Sequence, residues 1–322
     1  MPATITHTFF ANDLYDVLPD NIVEKIDFER FKMFSQSTDP LMFYNLFSIL
    51  PGKNIRKFQK YFHDNKSQDF FINLLTYMRS INLDDKDTYS FLAGFISHYV
   101  LDYTIHPYVV YKTGIFDKKR PSTYKYNNVH HFMESFIDMD MVRRRLRINP
   151  YTYDFTKYCF DNKAFSNDLN KAINYTFYTT YNIKDMSKIY YKSLKQTKNY
   201  LKVFRMDKNG TKKVMYKLLD TITPRRCFRF EAISYHLSLE DKHNFLNNKH
   251  LEWRSPIDYD VISTESFVDL YLKALKDAKK LIQASFDFLD GKEVELEKLF
   301  NNTSYITGVE CGRYKDLKYF EF

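Results

Sequence analysis

Glycine is scarce in this chain: seven residues in 322. A fold of many hairpins needs more of the residue that adopts tight-turn geometry freely, so the scarcity favours helices. Cysteine is also sparse. Cys159, Cys227 and Cys311 stand far apart and form no Cys-x-x-Cys pair, which supports neither a disulfide framework nor a thiolate metal site. No run of roughly 18 apolar residues exists, so no membrane-spanning helix is expected. Met1 to Phe10 lacks a basic region followed by an apolar stretch, which leaves a reduced, cytoplasmic setting as the expectation. There is no internal repeat and no low-complexity linker.

Aromatic residues, by contrast, are abundant, with 30 Phe and 27 Tyr. Each buries a large area, so the composition argues for a packed core and against disorder. The formal charge is +8, of which residues 1–150 carry +2 and the remainder +6. A diffuse surplus of this kind raises local anion concentration but names no partner. Its densest run is Arg143-Arg144-Arg145 with Arg147. A composition shift near residue 150 is the one boundary to weigh, and a single domain over 1–322 is expected.

Helical periodicity recurs along the chain and alternating strands do not. Ile55, Phe58, Tyr61 and Phe62 form one apolar stripe, and Phe70, Leu74, Tyr77 and Met78 the next. Phe267, Leu270, Tyr271, Ala274, Leu275 and Ala278 mark a long helix with Ser263 or Thr264 as the expected N-cap. Breaks are expected at Pro19, Pro51-Gly52, Lys118 to Ser122, Asn149-Pro150, Asn209-Gly210, Ser255-Pro256 and Gly291.

Six of the nine histidines fall within the first 131 residues. His98, Asp102 and His106 sit at i, i+4 and i+8, on one side of a helix within about 80° of each other. Their neighbours are apolar or aromatic, so Asp102 would be buried, and burying a carboxylate without a partner costs several kcal/mol. A cation satisfies it, and histidine with carboxylate suits zinc. A hydrogen-bonded His98–Asp102 pair without metal is the competing reading. Gly94, one turn earlier on the same side, leaves room for another segment or a metal. Pro107 disfavours helical geometry at His106 and is expected to end the helix there.

His130 and Glu134 share a helical face at i, i+4, with His131 as the competing ligand. Asp39, before Pro40, reads equally as an N-cap. His63 interrupts the stripe of Phe58, Tyr61 and Phe62, and His7 opens the first helix. Each of these three could serve structure alone. His236, His243 and His250 lack a carboxylate at ligand spacing and read as structural.

The order of these fragments resembles the bacterial zinc-dependent phospholipase C family. An early His, Asp39-Pro40, Phe62-His63, His98-Tyr99-Val-Leu-Asp102, His106-Pro107 and His130 through Glu134 carry the likeness. It covers residues 1 to about 147 through motifs. It continues more loosely through His250-Leu-Glu-Trp253 to Pro256, Ser266-Phe267 and Asn302-Thr-Ser-Tyr305. The resemblance implies an all-α, multi-helix bundle around two or three zinc ions, with the ligands within 1–147 and residues 148–322 completing the fold. It implies that Asp39, His63, His98 and Asp102 hold one zinc, that His106, His130 and Glu134 hold a second, and that His7 shares Asp102 at a third. Two departures stand out. Only three residues separate Asp102 from His106, fewer than in secreted members, and those members use the mature amino terminus as a ligand where Met1-Pro2 stands here.

The implied activity is that of an enzyme. It hydrolyses phospholipid head-group esters by attack of a zinc-activated water, with Asp39 orienting or deprotonating that water. The implied partners are a phosphodiester substrate and peripheral contact with a membrane. One alternative keeps the metals and acts on nucleic acid, as a zinc-dependent single-strand nuclease or nucleotidase. The other is a non-catalytic binding protein stabilised by metal.

Overall fold

The computed structural model describes residues 4–46, 55–234 and 240–321, so the expected break at Pro51-Gly52 and His236 lie outside it. Within the described residues the chain is all-α, as expected. Thirteen α-helices are joined by loops and single turns of 3-10 helix. They are α1 (Thr4–Val17), α2 (Asp20–Val23), α3 (Phe28–Phe34), α4 (Ile55–Phe62), α5 (Ser67–Ser80), α6 (Lys86–Thr113) and α7 (Val129–Leu146). Then follow α8 (Phe155–Tyr158), α9 (Asn167–Tyr181), α10 (Met186–Phe204), α11 (Thr211–Ile222), α12 (Phe267–Leu289) and α13 (Leu296–Leu299). Strands β1 (Trp253–Arg254) and β2 (Ile262–Ser263) pair antiparallel, Trp253 opposite Ser263.

α6 is the axis, buried around its whole circumference from Thr88 to Asp102 and on most sides from there to Thr113. α12 lies along it, and α3, α1 and α7 cover its other sides. Asp85 caps its start by accepting from Thr88 N (3.0 Å), and Gly114, at φ +64°, ends it. Asp27 and Ser166 cap α3 and α9 in the same way. Ser266 and Asp269 form a reciprocal capping box at the start of α12. The expected cap, Ser263 or Thr264, therefore lies too early. Ser263 is held in β2, and only Ser266 stands three residues before an acidic partner.

The aromatic surplus goes largely into the core. Phe62 meets Phe70 edge-on at 5.1 Å, and Phe71 stacks on Phe300 at 4.7 Å.

Pro107 does not end α6. The helix runs through it to Thr113. An interior proline costs about 3 kcal/mol, but burying Tyr108, Val109 and Val110 beyond it contributes roughly 1.5 to 3 kcal/mol each and outweighs that. The carbonyl of Tyr103, whose helical donor Pro107 removes, is met closely by Gly308. A Cβ on Gly308 would lie 2.7 Å from both Tyr103 O and the Pro107 ring. His106 thus stays in line with His98 and Asp102 on one helix.

Candidate metal centre

Four segments converge on the His98–Asp102–His106 side of α6: the start of α1, the 3-10 turn Asp39–Phe43, the end of α4, and the first turn of α7. The approach of α3 is set by Gly94. A Cβ there would meet Phe34 Cβ at 2.6 Å and Ser35 N at 2.9 Å. That close packing brings Ser35 O within 2.9 Å of His98 Nδ1. A carbonyl only accepts, so Nδ1 carries a proton and, in the neutral ring, Nε2 keeps its lone pair. His98 Nε2 in turn lies 3.0 Å from Asp102 Oδ2, yet neither buried atom has an aligned hydrogen-bond partner.

Other pairs repeat this spacing. His7 Nε2 is 3.3 Å from Asp102 Oδ1, and His63 Nε2 is 3.4 Å from Asp39 Oδ1. His106 Nε2 is 3.4 Å and His130 Nε2 3.0 Å from Glu134 Oε1. Two ligands about 2.05 Å from one tetrahedral zinc lie roughly 3.3 Å apart. Among the described residues, three groups have possible ligand atoms within 4.8 Å of one another: His7, Asp39 and His98; His63, His98 and Asp102; and His106, His130 and Glu134. The buried, unpartnered His7 Nδ1, His98 Nε2 and Asp102 Oδ2, with these spacings, fit zinc.

All eight expected ligands are brought together. The third group matches the set expected for a second ion. The set expected for the first is interwoven with His7, whose ring stacks on His98 at 4.1 Å. Asp102 touches His7, His98 and His106, so it joins the clusters as a shared carboxylate would. His131 Nδ1 stays 3.8 Å from Glu134 Oε2 and belongs to none of the three groups. His243 stacks on Phe245, and His250 is half-exposed, contacting Thr264 O and Asp269.

Electrostatics give the same picture of the metal-free site. Burial pushes Asp102 up, but the charges of His106 and His98 and a hydrogen bond from His7 outweigh it and hold the carboxylate well below its usual range. Burial pulls His106 down, yet Asp102 and Glu134 hold it up at about 9. Burial lowers His63 to about 3, against the pull of Asp39. A proton on His106 thus stands in for a cation beside Asp102.

Several residues support the centre through contacts that local sequence does not reveal. Gln59, one turn before His63, donates to Asp39 Oδ1 at 2.8 Å. Tyr305 stacks on His63 at 4.8 Å, donates its N–H to His63 O and accepts from His106 Nδ1 at 2.9 Å. Asp138 accepts from Thr6 N, Thr6 Oγ1 and Ile5 N, capping α1 directly before His7, and pairs with buried Arg205 at 2.7 Å. Asp138 did leave a signal: His130, Glu134 and Asp138 repeat the i, i+4, i+8 spacing of His98, Asp102 and His106.

A cavity of about 30 Å³ lies against the centre, lined by Thr6, His7, Asp102, His106 and Glu134, room for about one water or ion. No helix among the described residues is long and apolar enough to cross a membrane. No curated protein and no solved structure matches the chain significantly. A family model described as zinc dependent phospholipase C matches residues 6–196, more than half of the chain and a span that includes all eight clustered residues. From the histidine–carboxylate knot and this match, the chain belongs to the zinc-dependent phospholipase C family.

Proposed function

We propose that the chain hydrolyses a phospholipid head-group ester, releasing diacylglycerol and a phosphorylated alcohol. The observation that carries this reading is the knot of three neighbouring histidine–carboxylate groups, two of them sharing His98, in which buried His98 Nε2 and Asp102 Oδ2 face each other without hydrogen-bond partners. His7, Asp39, His63, His98 and Asp102 would hold metal on one side of the shared carboxylate, and His106, His130 and Glu134 on the other. Zinc, when bound, supplies positive charge that stabilises the phosphoryl oxygens and makes water more acidic. The chain's own residues do the rest. Ser35 O and Tyr305 O fix the tautomers of His98 and His106, so that each presents Nε2 to the centre. Asp39 is raised by burial and drawn down more strongly by charges that include His98, so it is ionised at neutral pH and can take a proton from an attacking water. Gln59 holds that carboxylate in place. The contacts of Tyr305 and Arg205 with this region support reading residues 148–322 as part of one domain with the ligand-bearing half.

Elemental analysis together with a phosphodiester screen tests the proposal. Metal-replete protein should hold at least two zinc equivalents and hydrolyse a short-chain phosphatidylcholine, and Asp102→Asn should abolish turnover. Less than one metal per chain would sink the reading. Efficient cleavage of single-stranded DNA or RNA with the lipid left intact would put a nuclease in its place.

A further inference from the structure

α11 is turned inside out. Its buried positions are Lys213, Tyr216 and Asp220. Its apolar residues Val214, Met215, Leu218, Leu219 and Ile222 face outward, Leu218 65% and Ile222 75% exposed. At 100° per residue those five span an arc of about 140°. Phe228, just beyond the helix, is exposed as well.

The orientation is held by bonds. Lys213 Nζ donates to Glu231 O at 2.8 Å, Asp220 accepts from Phe230 N and Glu231 N at 2.9 Å, and Tyr216 OH donates to Phe204 O at 3.1 Å. Rolling the helix to bury its apolar face would break all of these and strand a buried charge.

The charge exposed along residues 202–230 has one sign, and the nearest acidic residue beyond them, Glu231, is turned towards Lys213. Lys202, Lys208, Lys217, Arg225 and Arg226 are exposed, whereas Asp207 and Asp220, the acidic residues between positions 202 and 230, are both buried. An outward apolar stripe flanked by exposed cations is the pattern of a helix lying in a lipid interface. A second copy of the chain fits poorly, because a twofold contact through this face would set each rim of cations against its own copy.

We infer that α11 and the Thr223–Phe228 turn dock on a membrane surface rich in anionic phospholipid. The inference deepens the reading of a lipid substrate, because the docking face is tied to the metal centre. Asn127 Nδ2 donates to Arg225 O (2.7 Å) and Cys227 O (2.6 Å), and Asn128 Nδ2 donates to Arg229 O at 2.9 Å, two residues before His130.

Vesicle sedimentation with the full chain tests this, comparing phosphatidylcholine containing roughly one-third phosphatidylglycerol with phosphatidylcholine alone. The protein should pellet with the anionic vesicles and be released by salt. Leu218→Gln with Ile222→Gln should weaken that binding by about tenfold or more, as should charge reversal at Lys217, Arg225 and Arg226. Both variants alter exposed side chains, so circular dichroism and hydrolysis of monomeric short-chain phosphatidylcholine should match the unaltered protein. The inference is overturned if the protein ignores anionic vesicles, if the glutamine variant binds them as tightly, or if the stripe proves to hold a dimer that the same variant dissociates. Protein that binds vesicles but cleaves no phosphodiester keeps this inference and sinks the enzymatic reading. Protein that cleaves monomeric lipid but ignores vesicles does the reverse.

Discussion

Replacing Gly94 with alanine should loosen the metal centre without touching a ligand. The added methyl would sit 2.6 Å from Phe34 Cβ, 2.7 Å from Phe34 C and 2.9 Å from Ser35 N. Carbon atoms rest about 3.5 to 4.0 Å apart, so α3 must move off α6 by about 1 Å. Two of the three contacts are backbone, which a side-chain rotation cannot relieve. Alanine gains up to about 1 kcal/mol of helix propensity, whereas overpacking costs about 1 to 3 kcal/mol, and the backbone contacts place this site at the upper end. The net loss should be about 2 kcal/mol. The same movement stretches the 2.9 Å contact between His98 Nδ1 and Ser35 O towards about 3.9 Å, outside hydrogen-bond range. Losing such a supporting partner lowers metal affinity about 10- to 100-fold. Urea unfolding of chelator-treated protein and zinc competition against a chelator measure the two effects. An unfolding midpoint at or above that of the unaltered protein, with unchanged zinc affinity, would refute the packing argument.

Three further outcomes are expected. His130→Ala should lose far more zinc and activity than His131→Ala, because His130 Nε2 is 3.0 Å from Glu134 Oε1 and His131 Nδ1 is 3.8 Å from Oε2; the reverse ranking would move the ligand by one position. Arg205→Met removes the cation from Asp138 in a fully buried setting and should cost about 3 kcal/mol or more in urea unfolding, with weaker zinc binding through the displaced start of α1; equal stability would show that the pair does not hold the helix. His106 is protonated below about 9 in the metal-free protein, so zinc must displace a proton, and zinc affinity should rise from neutral pH towards 9. Calorimetry in buffers of different ionisation enthalpy counts that proton, and a flat affinity over this range would exclude the displacement.

What the sequence by itself determined is local. Spacing along a helix settles which side chains share a face, so His98, Asp102 and His106 could be grouped before any fold was known, and so could His130 with Glu134. Scarce glycine and repeated helical stripes likewise announced an all-α chain. What only the tertiary structure decided is what each face meets. Ser35 O, Tyr305 O and Asp138 support the centre from 63, 199 and 132 positions away from His98, His106 and Thr6, respectively, and no local pattern encodes such contacts. The local cost of Pro107 is visible in sequence and predicts a stop, while the burial beyond it that outweighs this cost is not. α11 shows the same limit most plainly. Val214, Leu218 and Ile222 have the spacing of a buried stripe, but the bonds of Lys213, Tyr216 and Asp220 to distant backbone turn that stripe outward, because satisfying buried polar groups outweighs covering a few apolar ones.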